Sequence, residues 1–136
     1  MKIFLASHGK LASGMENTVE ILMGKFENLF VYDAYIDEKD FSKIVEQYIN
    51  KLDKEEFLLF LSDIYGGSVN QLMSQYVNNK NIFLISGINL PILMEALLME
   101  NPINIEKIVE LVEIGQKSIK LVNLENIKSN DEDFFE

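Results

Sequence analysis

Four short, nearly unbroken apolar runs, at residues 3–6, 29–32, 57–61 and 82–85, constrain the fold of this chain more than any other feature. A strand with one wet face alternates apolar and polar residues, so a run without polar breaks predicts a strand covered by helices on both faces, the pattern of a parallel sheet. The stretches between the runs supply those helices. Ala12, Met15, Val19, Leu22 and Met23 recur at steps of three and four, as do Phe41, Ile44, Val45, Tyr48, Ile49 and Leu52, and both stripes are expected to face the sheet. Asp37 and Asp40 precede the second stripe as capping candidates. A third helix carries Leu72, Met73, Tyr76 and Val77 and is closed by Asn78-Asn79-Lys80-Asn81. The order so far is βαβαβαβ.

Beyond Ile85 the pattern changes. Ser86-Gly87-Ile88-Asn89-Leu90-Pro91 is a turn with a proline placed for the first turn of a helix through Leu93, Met94, Leu97 and Leu98, which Asn101-Pro102 stops. Asn104 can cap a fifth helix with Ile105, Ile108, Val109 and Val112 on one face and Gly115 near its end. Residues 119–124 read as a fifth strand, more polar than the others, at an edge or between subunits. The stretch 129–136, with Asp131, Glu132, Asp133 and Glu136, reads as a solvated acidic tail.

Composition narrows the function classes. The net charge is −10, and all twelve basic residues are lysines, so no basic stripe or guanidinium fork is available and nucleic acid is not an expected partner. With no cysteine and one histidine, thiol chemistry, zinc ribbons and His-rich metal sites are excluded, and neither a metal nor a cofactor is expected. Only four apolar residues follow Met1-Lys2 before Ser7, and no apolar run approaches the ~18 residues of a membrane span. A cytoplasmic protein without membrane insertion is the expectation. One domain of ordinary size accommodates the length.

Strands joined by helices run parallel, and right-handed crossovers place all their C-terminal ends on one rim, where open α/β sheets carry their chemistry. Strand one ends at Ser7-His8-Gly9, strand two at Asp33-Ala34, strand three at Ser62-Asp63-Ile64-Tyr65-Gly66-Gly67-Ser68 and strand four at Ser86-Gly87. The doubly wound order 2-1-3-4, with helices on both faces, puts His8 beside Asp63. A carboxylate bonded to one ring nitrogen fixes the tautomer and leaves the other nitrogen nucleophilic. In isolation Asp63 reads equally well as the N-cap of helix three, and Gly66-Gly67 as a plain tight turn. Together with Ser68, however, the glycines allow close backbone approach to an anion near His8, at the start of a helix.

Ser7-His8-Gly9 with Leu11-Ala12-Ser13-Gly14, Ser62-Asp63-Ile64-Tyr65-Gly66-Gly67-Ser68, and Ser86-Gly87-Ile88-Asn89-Leu90-Pro91 together resemble the IIA component of the mannose-type (mannose, fructose, sorbose) bacterial sugar phosphotransferase system. The resemblance implies a histidine phosphocarrier, with His8 accepting a phosphoryl group from the phosphocarrier protein HPr and passing it to the IIB component. It implies that Asp63 bonds one ring nitrogen while the other is phosphorylated, and the loop of Gly66, Gly67 and Ser68 that accommodates an anion is then expected to hold the phosphate. It further implies a homodimer in which the C-terminal strand, antiparallel at the sheet edge, crosses to the partner. Residues 1–124 would form the IIA domain and 125–136 the acidic tail, as a free-standing IIA rather than one fused to IIB. Val69 departs from the proline usual after Gly-Gly-Ser. The phosphocarrier subunit of the phosphotransferase-dependent dihydroxyacetone kinase is an alternative with the same histidine. Two other classes remain: a non-catalytic anion-binding module in which His8 only donates a hydrogen bond and Asp33 ends strand two, and a purely structural oligomerisation domain.

Overall fold

The computed structural model describes residues 1–125. Four parallel strands, β1 (Lys2–His8), β2 (Leu29–Ala34), β3 (Leu58–Ser62) and β4 (Ile82–Ser86), form one sheet in the order β2-β1-β3-β4. Five helices accompany them: α1 (Leu11–Met23), α2 (Phe41–Asn50), α3 (Ser68–Ser74), α4 (Leu90–Leu98) and α5 (Ile105–Lys117).

The unbroken apolar runs are explained by two cores, one on each face. Ile3, Leu5, Leu59 and Leu61 pack with Ala12 and Val19 of α1, with Ile92, Leu93, Ala96 and Leu97 of α4, and with Ile108 and Leu111 of α5. The alternate residues Phe4, Ala6, Leu58 and Phe60 pack with Phe41 and Val45 of α2 and Val69 and Met73 of α3. Each fully buried Leu or Phe contributes about 1.5–3 kcal/mol, far more than any single helix propensity, so the two faces of the sheet set where the helices lie. Val69 is fully buried in the second core, so the residue that departs from proline serves packing.

The helix starts follow their capping residues. Asp40, Asn89 and Asn104 each accept a backbone N–H from the first turn of α2, α4 and α5, and Pro91 sits in the first turn of α4. Asp37 instead takes the Lys39 N–H within the preceding turn. Helix α3 ends at Ser74, short of Tyr76 and Val77.

Some expected faces are narrower than their stripes. Leu22 is exposed on α1, as are Leu98 on α4 and Ile105 and Val109 on α5, while Leu111 joins the core. At 100° per residue, Ile108, Leu111 and Gly115 lie along one line, whereas Ile105 and Val109 fall at its margins, where no neighbour covers them. Gly115 lies in the last turn of α5, as expected. A Cβ there would sit 2.3 Å from Cδ1 of Ile92, so the glycine is what lets α4 and α5 approach closely.

Among the described residues no fifth strand forms. Residues 119–123 leave α5 without strand structure, and Ile119 and Leu121 are 78% and 81% exposed. The acidic stretch 129–136 lies outside the described residues.

Candidate functional site

Parallel register carries His8 to its partner. Ala6 of β1 lies opposite Ser62 of β3, so Ser7 falls level with Asp63 and His8, one residue further on, comes within reach of the Asp63 side chain. Gly9 turns the chain at once, with φ +61°, and its N–H donates to the Ala34 carbonyl at 2.9 Å. The imidazole is left at the rim with its side chain 44% exposed, while Asp63 is 12% exposed.

One carboxylate oxygen, Oδ2 of Asp63, accepts the His8 backbone N–H at 2.8 Å and lies 2.8 Å from Nδ1 of the same residue. The other, Oδ1, accepts the Ile64 N–H at 2.9 Å. Nε2 lies 2.9 Å from the Ser68 hydroxyl. With a carboxylate on Nδ1, the partners assign the ring proton to Nδ1 and leave Nε2 as acceptor of the Ser68 hydroxyl. Asp63 is thus not the cap of α3; that position belongs to Gly67.

Burial works to raise the Asp63 carboxyl, but hydrogen bonds from the His8 backbone N–H, the His8 ring and the Ile64 N–H outweigh it, and the group lies below its ordinary range. A depressed folded-state value means that the unfolded chain binds the proton more tightly. The stability from this carboxylate is therefore complete above its unfolded value of about 3.9 and is lost as pH falls through the lower folded value. Acid unfolding followed by circular dichroism should show this loss below about pH 4, and Asp63→Asn should remove that part of the pH dependence. An identical acid profile in the variant would contradict the assignment.

The Gly66-Gly67 turn is shaped for contact with the ring. Gly66 has φ +79°, a conformation that a side chain resists. A Cβ on Gly67 would lie 2.7 Å from Cγ2 of Ile64 and 3.5 Å from Cε1 of His8. The N–H groups of these glycines are used within the loop, Gly66 to Oδ1 of Asn70 at 3.0 Å and Gly67 to the Ile64 carbonyl at 3.2 Å. The group that meets Nε2 is accordingly the Ser68 side chain.

Two residues near the site carried no signal in the sequence. Tyr35 has φ +63°, uncommon for a residue with a side chain, and its ring centroid lies 5.3 Å from that of His8. Asn70 is buried behind the loop. Two others prove structural: Ser7 is fully buried and its Oγ accepts the Ala12 N–H at 2.8 Å, and Asp33 takes the Ser13 N–H at 3.0 Å and its hydroxyl at 2.6 Å. With Asp33 engaged on the start of α1, the acid that an anion-binding module would place at the end of strand two serves the helix instead. Among the described residues, no helix is long and apolar enough to cross a membrane, and no group of three or more potential ligand residues is placed to hold a metal ion.

Comparison with known proteins agrees with this fold. The family model described as PTS system fructose IIA component matches residues 2–113. The PTS system mannose-specific EIIAB component of Escherichia coli is 30% identical over 93% of this chain, and the match covers 41% of that longer protein. The PTS system fructose-specific EIIA component of Bacillus subtilis is 23% identical over 98% of this chain and 95% of its own length. Among solved structures, a Klebsiella pneumoniae protein provisionally described as a phosphoenolpyruvate-dependent sugar phosphotransferase permease superposes with a TM-score of 0.83 at 31% identity, covering 90% of this chain and 91% of that one. The mannose/sorbose IIA subunit of Enterococcus faecalis has the same fold, with a TM-score of 0.72 at 22% identity over 90% and 95% of the two chains. A match across most of the chain, on the same four-stranded order, places this protein in the mannose-type family of IIA components of the sugar phosphotransferase system.

Proposed function

We propose that this chain is a histidine phosphocarrier that accepts a phosphoryl group from HPr on Nε2 of His8 and passes it to a IIB component, which phosphorylates the incoming sugar. The observation that carries the reading is the ring held between Asp63 on Nδ1 and Ser68 on Nε2 at an exposed rim. The Nε2 lone pair forms the bond to phosphorus as the bond from phosphorus to the donor's leaving atom breaks, and the donor keeps that electron pair. Nδ1 keeps its proton, and the Asp63 carboxylate stabilises the positive ring that results. The Ser68 hydroxyl turns from Nε2 to a phosphate oxygen, while Gly66 and Gly67, with no Cβ, line the approach. No external base is needed, since the tautomer is set before the donor arrives.

The test is incubation with the phosphoenolpyruvate-driven relay followed by mass spectrometry of the intact protein. A single acid-labile, alkali-stable phosphate is the expected result. A modification that survives acid would overturn the reading and point to Ser68, since Ser7 is fully buried.

Residues 1–124 constitute the phosphocarrier domain in this reading, in the cytoplasm, with 125–136 as an acidic tail outside the transfer chemistry. The carrier works as a homodimer. Ile119, Leu121, Val122 and Leu124 are too exposed and too apolar for a solvated tail, and a strand on the partner's sheet would bury them. Deleting the chain from Ser118 onward should therefore lower the melting temperature and give a monomer by sedimentation. A truncated protein that stays dimeric and equally stable would refute the exchange.

A further inference from the structure

The polar cluster behind the site has no part in the mechanism above, yet it ties the Asp63–Ser68 loop to the ends of β3 and β4. Ser62 and Ser86 end β3 and β4 at the same register position, and their hydroxyls lie 2.6 Å apart. Asn70, 8% exposed in the first turn of α3, donates Nδ2 to Ser62 Oγ at 3.3 Å and to Ser86 Oγ in a very short contact. Its Oδ1 accepts the Gly66 N–H at 3.0 Å. The same loop is gripped from outside by Gln71, whose Nε2 donates to the Gly66 carbonyl at 2.7 Å.

The loop so held runs from Asp63 to Ser68, and its two ends are the two partners of the His8 ring. The turn contains two glycines and therefore has little conformational preference of its own, so the bonds that hold it set their separation. An amide is suited to this place because it offers an acceptor to the backbone N–H and donors to two hydroxyls without adding charge beside Asp63. Ser62 and the Asn70 amide are buried, so breaking the bond between them leaves groups with little solvent to replace the partner, which makes the geometry specific.

We propose that Asn70 is a positioning residue for phosphoryl transfer, locking the Asp63–Ser68 loop to the ends of β3 and β4 so that the His8 ring is held in one tautomer and one orientation. The proposal rests on the phosphocarrier reading for its effect on rate, but not for its effect on the ring. Because His8 is the only histidine, ring-nitrogen NMR reports on it alone.

In the full-length protein, the neutral ring of wild type should show its proton on one nitrogen only, Nδ1. Asn70→Ala should bring the two nitrogen signals toward each other and slow phosphorylation by the relay about tenfold to a hundredfold, the effect of a small misplacement of a reacting group. Ser86→Ala should act in the same direction but less, because Ser62 still receives the amide. Ile108→Ala, a cavity between α5 and the sheet, serves as the control: it should lower the melting temperature while leaving tautomer and rate unchanged.

Unaltered ring signals in Asn70→Ala, or a loss of rate no greater than in the Ile108 variant, would overturn the proposal. Should Asn70→Ala fail to fold, Ser86→Ala decides by the same two readouts, and wild-type values in both would overturn it. If the relay does not phosphorylate wild type at all, the phosphocarrier reading fails, and the ring-nitrogen comparison still decides whether Asn70 positions His8.

Discussion

Replacing His8 by alanine is expected to abolish phosphorylation by the relay, with no residual acid-labile phosphate detectable by intact-protein mass spectrometry. The expectation is absolute because the chain has no second imidazole and no thiol to take the role. The change should leave the fold intact. His8 is an exposed strand-end residue whose backbone N–H still donates to Asp63, and its side chain belongs to neither core. A phosphorylated His8→Ala protein would move attention to the Ser68 hydroxyl, the side-chain group beside Nε2.

Asp63→Asn is expected to slow transfer by about two orders of magnitude, in the range found when an oriented electrostatic partner is removed. Asparagine keeps the shape, but its amide nitrogen cannot accept, so only one of the His8 and Ile64 N–H groups keeps its partner. What disappears is the negative charge facing Nδ1 at 2.8 Å, which matters most when the ring becomes positive on phosphorylation. Its amide can also present an N–H to Nδ1, which favours the wrong tautomer and leaves Nε2 protonated and unreactive. Quench-flow measurement of His8 phosphorylation distinguishes this from misfolding, since the melting temperature at neutral pH should change far less than the rate. A variant that transfers at the wild-type rate would reduce Asp63 to a loop anchor.

The expected pairing of these two residues depends on little more than strand periodicity. Four apolar runs without polar breaks call for parallel strands buried on both faces, and once strand one lies beside strand three, equal register brings the end of one to the end of the other. The observed order β2-β1-β3-β4 and the pairing of Ala6 with Ser62 follow that logic. Helix caps at Asp40 and Asn104 are equally legible, because a cap is a local bond between a side chain and a backbone group two or three residues on, whereas the Asn89 cap, set within a turn, shows only in the structure.

What the sequence by itself determined, then, is the set of features governed by local bonding or by a repeating period: the strands, the helix starts, and the rim on which His8 and Asp63 meet. Only the tertiary structure decided which marginal residues of each stripe are covered, since Leu22, Ile105 and Val109 carry the same apolar character as their buried neighbours and differ only in what packs above them. It alone brought the Tyr35 ring beside His8 through a left-handed backbone that no side-chain pattern announces. It alone joined Asn70 to Ser62 and Ser86, a contact among three elements with no period in the sequence. And it left residues 119–123 without strand structure, because apolar character alone does not decide whether a segment pairs with a sheet edge.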